Sequence, residues 1–373
     1  MIIGIDASRA VTRKRTGTEA YAYFLINALI PIALEKGHQI RLYFNQPPPS
    51  DPFFDALPDH RVEQLVLSFP RLWTHARLGF ELFRRRPSIF FTPAHVIPYT
   101  FKGPAVATVH DLGYHHFPKA HTKSQLSYLT WSTRHNCRRS QIVVTDSIAT
   151  QNDIETFYGL PSNKIKVIYP SFDPHLSRVK DENSRRAVLD KFKINDPFLL
   201  YLGTLQPRKN LERLVDAYLA SGVSHQLILA GQAGWLSESI LDKIKRLPSA
   251  QKNKIILTGY VSDDEKAALL SAATALLFPS LYEGFGFPVL EAQVCETAVL
   301  CSNSSSLPEV AGNAAHFVDP LNTQAIAQGI QTICADDEYR QTLINKGIVN
   351  TNGFSWDTTA FQLLTLFESI HTP

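Results

Sequence analysis

The chain has 373 residues, a length that suits two domains of roughly 150–200 residues each. Apolar residues make up 44% of it and charged residues 19%, which excludes a disordered or fibrous protein. Acids and bases nearly balance at a net charge of +3, so no strong overall field favours nucleic acid as a partner.

The cysteines predict free thiols rather than a site built from cysteine. Cys137, Cys295, Cys301 and Cys334 show neither the CxxC spacing of a zinc site nor the close, even spacing of a disulfide-rich domain. We therefore expect no disulfide framework, no structural zinc, and buried thiols in a reducing compartment.

The first residues, MIIGIDAS, begin with a strand-like apolar run and lack the basic and long apolar regions of a signal peptide. The longest apolar tract, residues 267–278, is too short to span a bilayer. We expect a cytoplasmic protein that is at most peripheral to the inner face of a membrane.

In the first half, short apolar runs alternate with stretches of helical periodicity. Strands are predicted at residues 2–5, 40–44, 89–92, 106–110, 142–145 and 166–169. Helices are predicted at residues 19–35 and 124–139. Strands that alternate with helices are typical of a parallel sheet covered on both faces.

The alternation restarts after a charged segment, residues 173–197, which we interpret as a linker with a small helix. Strands are predicted at residues 198–202, 226–230, 254–258, 275–278 and 298–301. Helices are predicted at residues 211–220, 237–246, 263–273, 289–294 and 323–335, and an amphipathic helix over residues 356–370 ends the pattern.

These elements predict an α/β fold of two Rossmann-like domains, residues 1–172 and 173–355, followed by the final helix in residues 356–373. Ligands of such sheets bind beyond the carboxyl ends of the strands, where the strand order reverses. With two such sheets facing each other, we expect the site in the cleft between them.

The most informative motif is Ser280-Leu-Tyr-Glu-Gly-Phe-Gly-Phe-Pro-Val-Leu-Glu291. Gly284 and Gly286 let a ligand approach the backbone, and the start of the following helix offers free N–H groups to a phosphate. Glu283 in the loop and Glu291 in the first helical turn are placed to bind sugar hydroxyls. The alternative makes Glu291 a partner of the helix dipole and Glu283 a solvated loop residue.

A second motif, Tyr201-Leu-Gly-Thr-Leu-Gln-Pro-Arg-Lys-Asn-Leu211, follows another predicted strand. It delivers Arg208 and Lys209 just before a helix. Alone, two basic loop residues are usually a solvated face. Together with the glycine turn of the same domain they indicate a clamp for a diphosphate, because both side chains bind phosphate oxygens.

Polar residues also end two strands of the first domain. His110 and Asp111 follow one strand, although a single histidine is more often structural than catalytic. Arg9, Gly17, Thr18 and Glu19 follow the first strand, where the glycine is able to meet a phosphate or an acceptor. Neither GxGxxG nor GxxxxGK[ST] occurs, which disfavours a dinucleotide-dependent dehydrogenase and a P-loop enzyme.

With these motifs the sequence resembles the GT-B-fold retaining glycosyltransferases of family 4, many of them bacterial polysaccharide enzymes. The resemblance covers almost the whole chain and is strongest in the second half. It is carried by Gly203-Thr-Leu-Gln-Pro-Arg-Lys-Asn210, Gly259-Tyr-Val-Ser-Asp263, Pro279-Ser-Leu-Tyr-Glu-Gly-Phe-Gly-Phe-Pro288, the pair Glu283/Glu291 and Val109-His-Asp111. As in relatives, the final helix is expected to return to the first domain.

The resemblance implies a nucleotide-sugar site. The implied binding residues are Gly17, Thr18, Gly203, Thr204, Arg208, Lys209, Tyr260, Val261, Glu283, Gly284, Phe285, Gly286, Phe287 and Glu291. The implied catalytic residues are His110, Arg208, Lys209 and Glu283. Thr204 is a departure, since many relatives carry a second phosphate-binding arginine there, which weakens the idea of a two-arginine clamp.

Each position has an implied role. Arg208 and Lys209 hold the donor diphosphate, Glu283 binds hydroxyls of the donor sugar, and Glu291 binds those of the ribose. The other implied contacts are the backbone of Tyr260 and Val261 with the base, amides around residues 285–287 with the sugar and phosphate, His110 with the reaction centre, and Gly17 and Thr18 with the phosphate and acceptor.

We expect no metal or other cofactor, because two cations and a helix N-terminus offset the charge of the leaving group. Asp263 and Asp264 are better explained as the cap and first-turn acid of a helix than as a DxD metal site. The resemblance implies retention of configuration, with attack on the face that the phosphate leaves. UDP-glucose and GDP-mannose are the expected donors, and a saccharide or lipid-linked saccharide the expected acceptor.

Residues 71–86 form a basic, helix-compatible stretch in which Leu72, Ala76, Phe80 and Phe83 share one face. One hypothesis is contact with anionic lipid head groups. We favour the alternative, in which that apolar face packs on the core and the arginines face solvent.

Other functions remain open at this point. A GT-B sugar phosphorylase or nucleotide-sugar epimerase shares these features, and so does an inactive sugar-nucleotide-binding protein. The intact set His110, Arg208, Lys209, Glu283 and Glu291 argues against the inactive protein, since loss of charged partners is the simplest route to a dead site.

Overall fold

The computed structural model describes residues 1–12, 17–48, 52–55, 57, 60–69, 71–195 and 197–371. The chain divides into two compact units. The first contains Met1–Leu112, Lys123–Ser171 and Phe354–Pro373, and the second contains Gly113–Thr122 and Phe172–Gly353. The sequence-based boundaries assign residues 113–122 to the first domain instead.

The strands are β1 (Ile2–Asp6), β2 (Gln39–Phe44), β3 (Val62–Val66), β4 (Ile89–Thr92), β5 (Ala105–Val109), β6 (Ile142–Thr145), β7 (Ile165–Val167), β8 (Phe198–Leu202), β9 (Gln226–Ala230), β10 (Ile255–Gly259), β11 (Ala275–Phe278), β12 (Ala298–Ser302) and β13 (His316–Val318). Nine of these strands are buried entirely or at every residue but the first, and they are rich in Ile, Leu, Val and Phe. That composition is typical of parallel strands covered on both faces.

The α-helices are α1 (Gly17–Glu35), α2 (Pro52–Asp55), α3 (Gly79–Arg84), α4 (Gly113–His116), α5 (Lys123–Arg139), α6 (Ile148–Tyr158), α7 (Glu182–Phe192), α8 (Leu211–Ser221), α9 (Glu238–Arg246), α10 (Ser249–Lys252), α11 (Asp263–Ala272), α12 (Phe287–Val294), α13 (Leu307–Ala311), α14 (Thr323–Ala335), α15 (Asp337–Thr351) and α16 (Trp356–His371). A π-helical turn over Thr74–Leu78 leads into α3, and a 3-10 turn over Pro207–Lys209 precedes α8.

Within the described residues, each unit has one parallel sheet. In the first unit the strand order is β3-β2-β1-β4-β5-β6-β7, and in the second it is β10-β9-β8-β11-β12-β13. The order reverses between β1 and β4 in the first sheet and between β8 and β11 in the second. These two places are the expected ligand positions of the sheets. The predicted α/β fold with two parallel sheets is confirmed.

The first unit is built from both ends of the chain, because α16 packs on α1. The ring of Phe367 lies 5.4 Å from that of Phe91 in β4, and Glu368 pairs with His38 at 2.9 Å. Thr359 Oγ1 donates a hydrogen bond of 2.6 Å to the carbonyl of Tyr169.

One described helix, α1, is long and apolar enough to cross a membrane by length and composition alone. This helix is longer than the apolar tract at residues 267–278, which was expected to be the longest. In the structure Tyr21, Leu25, Ile26 and Leu29 of this helix are buried, as in a core helix of a folded domain.

The small helix predicted in the linker segment is present as α7, which Asp181 caps by accepting a hydrogen bond from the Ser184 N–H. Other elements differ from the sequence-based expectations. The strands β3 and β13 were not predicted, since both are short and partly exposed. The cap of α11 is Ser262, which forms a capping box with Glu265, whereas Asp263 and Asp264 lie in the first turn.

The favoured interpretation of residues 71–86 is wrong. Leu72, Ala76, Phe80 and Phe83 are all exposed, and the core is contacted by Trp73, Leu78 and Leu82 instead. Ala76, Phe80 and Phe83 do share one face, but the opposite face with Leu78 and Leu82 packs on the core. In the π turn the Leu78 N–H bonds the Trp73 carbonyl at 2.9 Å, five residues back, which brings Trp73 to the same side as Leu78.

Candidate active site

The candidate site lies at the switch point of the second sheet, where the loops after β8 and β11 meet. The Leu281 N–H donates to the Arg208 carbonyl at 2.9 Å, which joins the two loops. Asn210 adds a second connection, since its Nδ2 donates to the carbonyls of Pro279 at 3.0 Å and Pro320 at 2.7 Å. The two strongest sequence motifs of the second unit are therefore adjacent.

Asn210 also shapes the loop that carries the basic residues. Its φ of 62° is left-handed, and it ends the 3-10 turn and precedes α8. Asparagine adopts this conformation more readily than most residues. The sequence does not indicate a role for Asn210, because its partners are carbonyls distant in the chain.

Arg208, Lys209 and Glu283 form a buried cluster. Lys209 Nζ lies 2.6 Å from one carboxylate oxygen of Glu283, and Arg208 Nη1 lies 3.2 Å from the other. The exposed fractions of the side chains are 11% for Lys209, 14% for Arg208 and 7% for Glu283. Lys209 Nζ also lies 5.0 Å from the centre of the Phe278 ring, a cation–π distance.

The electrostatics of the cluster favour a charged carboxylate. Burial raises the pKa of Glu283, but the charges of Lys209 and Arg208 outweigh that effect and hold the pKa below its ordinary value. The interpretation of Glu283 as a solvated loop residue is therefore wrong. The three side chains together carry one net positive charge in a partly dehydrated place, which favours an anion.

The glycine turn starts α12 in the expected way. Gly286 is the N-cap, with a φ of 105°, and a Cβ at this position would lie 2.6 Å from Leu307 Cδ2. Both the left-handed φ and the short distance to Leu307 favour glycine at this position. Phe287 and Pro288 open the helix, so its first N–H groups stand at the end of the Gly284–Phe285 loop.

Glu291 is the fifth residue of α12, not part of its first turn, because the helix begins at Phe287. Its carboxylate pairs with Lys266 of α11 at 2.7 Å. Burial lowers the pKa of Lys266, but Glu291 outweighs burial and keeps it above the ordinary value. Tyr260, 48% exposed, and Val261, half-buried, lie just before α11. The structure therefore groups Glu291 with Lys266, apart from the ion pairs of Glu283.

A serine-rich loop holds the glycine turn, and sequence reasoning missed it. Ser306 Oγ donates to the carbonyls of Glu283 at 3.0 Å and Phe285 at 2.8 Å. The Glu283 N–H donates to Ser305 Oγ at 3.0 Å, and Ser302 Oγ donates to the Ser280 carbonyl at 2.6 Å. The run of serines at residues 302–306 after β12 was the available signal, since adjacent parallel strands end at one edge.

Gly203 and Thr204 lie at the end of β8. Gly203 has a φ of 143°, and Tyr201 Oη donates to the Thr204 carbonyl at 3.1 Å. Gly231, at the end of β9, faces Gly203 so closely that a Cβ on it would lie 2.0 Å from the Gly203 carbonyl oxygen.

A cavity of about 390 Å³ lies beside this loop and is lined by Gln206, Asn210, Arg213 and residues of α8 and α9. Arg208, Lys209 and Glu283 are not among its lining residues. We place the candidate chemistry at the ion-paired cluster, because the charges converge there.

Residues 113–122 pack within the second unit close to this site. The His116 ring stacks on that of Tyr282 with 4.9 Å between centroids. Trp235 Nε1 donates to the Ala120 carbonyl at 2.5 Å. Tyr282 precedes Glu283, so this segment, which follows the Val109-His-Asp111 motif, supports the glycine turn of the second unit.

His110 belongs to the first unit and follows β5. Its Nδ1 lies 2.6 Å from Asp146 Oδ2, its Nε2 lies 2.8 Å from the Pro93 carbonyl, and its ring contacts that of Tyr21 edge-on at 4.7 Å. Both ring nitrogens face acceptors, an arrangement that favours the protonated imidazolium. Burial lowers the pKa of His110, but Asp146 outweighs burial and raises it above the ordinary value.

Gly17 and Thr18 are the first residues of α1, at the switch point of the first sheet. The buried Glu19 follows them and pairs with Arg9 at 3.1 Å. Asp6 at the end of β1 accepts hydrogen bonds from the N–H and Oγ of Ser8. Residues that the motifs singled out therefore lie at the switch point of each sheet, whereas His110 follows β5 and Tyr260 follows β10.

Two family models match the chain, one on each half. Glycosyltransferase Family 4 matches residues 15–176, and Glycosyl transferases group 1 matches residues 184–349. Together they span most of the chain.

Individual relatives agree with these matches. The chain is similar to O-antigen chain mannosyltransferase B of Escherichia coli, with 29% identity over 314 residues that cover 83% of this chain and 81% of that one. Its fold is that of sucrose-phosphate synthase from Thermosynechococcus elongatus, with a TM-score of 0.76, 20% identity and coverage of 99% and 98% of the two chains. Anabaena Alr3699/HepE, solved in complex with UDP-glucose, gives a TM-score of 0.73 with 19% identity and 99% coverage of both chains. The chain belongs to the GT-B-fold glycosyltransferases of family 4, as its motifs predicted, and it is a glycosyltransferase.

Proposed function

We propose that this enzyme transfers a hexose from a nucleoside diphosphate sugar to a saccharide or lipid-linked saccharide in polysaccharide biosynthesis, with retention of anomeric configuration. The observation that carries the proposal is the Arg208–Lys209–Glu283 cluster at the switch point of the second sheet. It joins cations for a diphosphate to a carboxylate for sugar hydroxyls. O-antigen mannosyltransferases among the relatives support a polysaccharide acceptor.

For the donor we propose a mannosyl nucleotide, GDP-mannose, ahead of UDP-glucose. The full-length relatives named as mannosyltransferases support mannose. The neighbour solved with UDP-glucose shares the fold at only 19% identity.

In the proposed reaction the bond between the anomeric carbon and the phosphate oxygen breaks, and the nucleoside diphosphate leaves. The acceptor hydroxyl oxygen bonds to the same face of the sugar, and its proton passes to an oxygen of the departing phosphate. Lys209 and Arg208 offset the negative charge that grows on the leaving group, and the N–H groups at the start of α12 add to this.

Glu283 binds hydroxyls of the donor sugar and, by pairing with both cations, fixes their positions before the donor arrives. Glu291 binds the ribose, with Lys266 holding its carboxylate. His110 contacts the donor sugar, Gly17 and Thr18 lie near the phosphate and acceptor, and the backbone of Tyr260 and Val261 meets the base. We propose that no metal takes part and that the enzyme works in the cytoplasm.

The proposal is tested in two steps with the full chain. Thermal unfolding is followed with GDP-mannose, UDP-glucose, GDP and UDP, and the donor should raise the melting temperature in a concentration-dependent way. Release of GDP is then measured with and without a saccharide acceptor, and the anomeric configuration of the product is read by NMR.

Acceptor-dependent GDP release and a product of retained configuration are the expected results. Phosphate-dependent cleavage without a nucleotide product would instead identify a sugar phosphorylase, and conversion of the nucleotide sugar without an acceptor an epimerase. Stabilisation by none of the four nucleotides would overturn the proposed site.

A further inference from the structure

The first unit exposes an apolar face around α3 that its own fold does not use. This face consists of Leu72, Ala76, Phe80 and Phe83. The exposed fractions are 74% for Leu72, 59% for Phe80 and 77% for Phe83. Single exposed apolar residues are ordinary, but a contiguous group marks an interaction surface.

The apolar face points to the surface because the opposite side of the helix packs against the core. Leu78 and Leu82 are completely buried, and Trp73 Nε1 donates to the Leu67 carbonyl at 2.7 Å. A Cβ on Gly79 would lie 2.5 Å from Thr100 Oγ1, so the helix approaches its neighbours too closely to rotate. Phe80 and Phe83 therefore stay at the surface.

A groove of about 490 Å³ runs along this face. Its lining residues are Phe69, Ala76, Arg77, Phe80, Glu81 and Arg84. Phe69 is 47% exposed and extends the apolar surface on the other side of the groove.

The surroundings are strongly basic. Residues 71–86 contain five arginines and a single acid, Glu81. Glu81 is buried and already paired with Arg77 at 3.4 Å and Arg84 at 3.2 Å. Arg71 and Arg86 are exposed. Arg85 pairs with Glu63 at 2.7 Å, so the five arginines face two acids and the border of the apolar face stays positive, which is complementary to anionic head groups.

Aromatic side chains with a polar end continue the surface. Tyr99 is 49% exposed, its ring lies 4.9 Å from that of His75, and its hydroxyl accepts a hydrogen bond of 2.9 Å from Trp131 Nε1. Tyr128 is 53% exposed, and the centroid of its ring lies 5.9 Å from that of the Trp131 ring. Tyr and Trp are the side chains that favour the level of lipid head groups.

We propose that this surface binds a bilayer that contains anionic lipids. Leu72, Phe80 and Phe83 enter the boundary between head groups and acyl chains. The exposed Arg71 and Arg86 meet lipid phosphates. Apolar burial and charge attraction act together in such peripheral binding. The proposal concerns the first unit alone and does not depend on the proposed donor or reaction.

The test is flotation of the full chain with vesicles on a density gradient at low salt. Vesicles of phosphatidylcholine alone are compared with vesicles of phosphatidylcholine and phosphatidylglycerol. We expect the protein to float with the anionic vesicles and to be released as salt is raised, because salt screens the charges. The variants are Phe80→Ser with Phe83→Ser, and Arg71→Gln with Arg86→Gln.

Each double variant should weaken binding on the order of tenfold or more, from lost apolar burial or lost charge attraction. The matched controls are Leu321→Ser with Val349→Ser, which are 66% and 69% exposed in the second unit, and Lys252→Gln with Lys254→Gln. Controls that float like the wild type support the proposal. No flotation with anionic vesicles, equal flotation with phosphatidylcholine alone, or equal loss in the controls would overturn it.

Discussion

Lys209 Nζ and the Glu283 carboxylate lie 2.6 Å apart although 74 residues separate them in the chain. The pair joins the loop after β8 to the loop after β11, and Glu283 binds Arg208 as well. A buried charge loses much when its partner is removed, so the cations and the carboxylate stabilise one another. Substitutions in this cluster should therefore change both the turnover number and the free energy of unfolding, in proportions that differ from residue to residue.

Replacing Lys209 by alanine should lower kcat on the order of a hundredfold, as expected for loss of one charge partner of the transition state. Steady-state kinetics at saturating donor measures the effect. Lys243→Ala is the matched control, because Lys243 pairs with the half-exposed Asp216 at 2.6 Å in the same unit. A kcat of Lys209→Ala equal to that of the control would refute the role.

Replacing Glu283 by glutamine should cost about 3 kcal/mol in the free energy of unfolding of the second unit, because two buried cations lose their counter-charge. The loss should depend on pH. The pKa of Glu283 is below the ordinary 4.5, so its contribution is complete above that pH and disappears as the pH falls through the lowered pKa.

Urea unfolding of the wild type and Glu283→Gln between neutral pH and pH about 3 measures this difference. The two proteins should converge in stability as the pH falls. A constant difference across the range would contradict the predicted ionisation.

Replacing Asp146 by asparagine should lower the pKa of His110. In the native protein Asp146, with smaller contributions from the Pro93 carbonyl and Asp111, outweighs burial, and without the charge of Asp146 only these smaller contributions oppose burial. The stabilisation from a raised histidine pKa is complete below the ordinary value of 6.5 and is lost as the pH rises through the folded pKa. Wild-type stability should fall in that window, and Asp146→Asn should show a flatter profile.

The NMR titration of the His110 ring gives the pKa directly. Asp357→Asn, an exposed position on α16, serves as the control and should leave the titration unchanged. A His110 pKa that is the same in Asp146→Asn and the wild type would show that another group holds the imidazolium.

Chelation tests the proposed absence of a metal from the reaction. Transfer activity should survive EDTA, since the proposed charge partners of the leaving group are side chains and N–H groups. Activity that is abolished by EDTA and restored by added Mg²⁺ or Mn²⁺ would contradict the mechanism.

The fold was largely predictable because its strands are buried on both faces and stand out as apolar runs. Two edge strands escaped prediction, because β3 includes Glu63 and Gln64 and β13 has only three residues, whereas the edge strands β7 and β10 were predicted. The face of α3 was predicted wrongly because its segment has two apolar faces, and spacing alone does not show that the one with Leu78 and Leu82 meets the core.

The residues of the site were predictable only where a short sequence motif contains them. Arg208, Lys209 and Glu283 were named from local sequence, and the structure brings them into contact. Asp146 and Lys266 act through partners far away in the chain, so no spacing in the sequence indicates them, and the serines after β12 are the only sequence signal for Ser306.

The return of α16 to the first unit has a consequence for how the protein is made. The amino-terminal half emerges from the ribosome long before the residues that cover α1, and must wait for them with apolar surface uncovered. The second unit consists of the early ten-residue segment Gly113–Thr122 and of Phe172–Gly353, so it is complete once Gly353 is made. The first unit, most of which is synthesised first, is therefore the unit that completes its folding last.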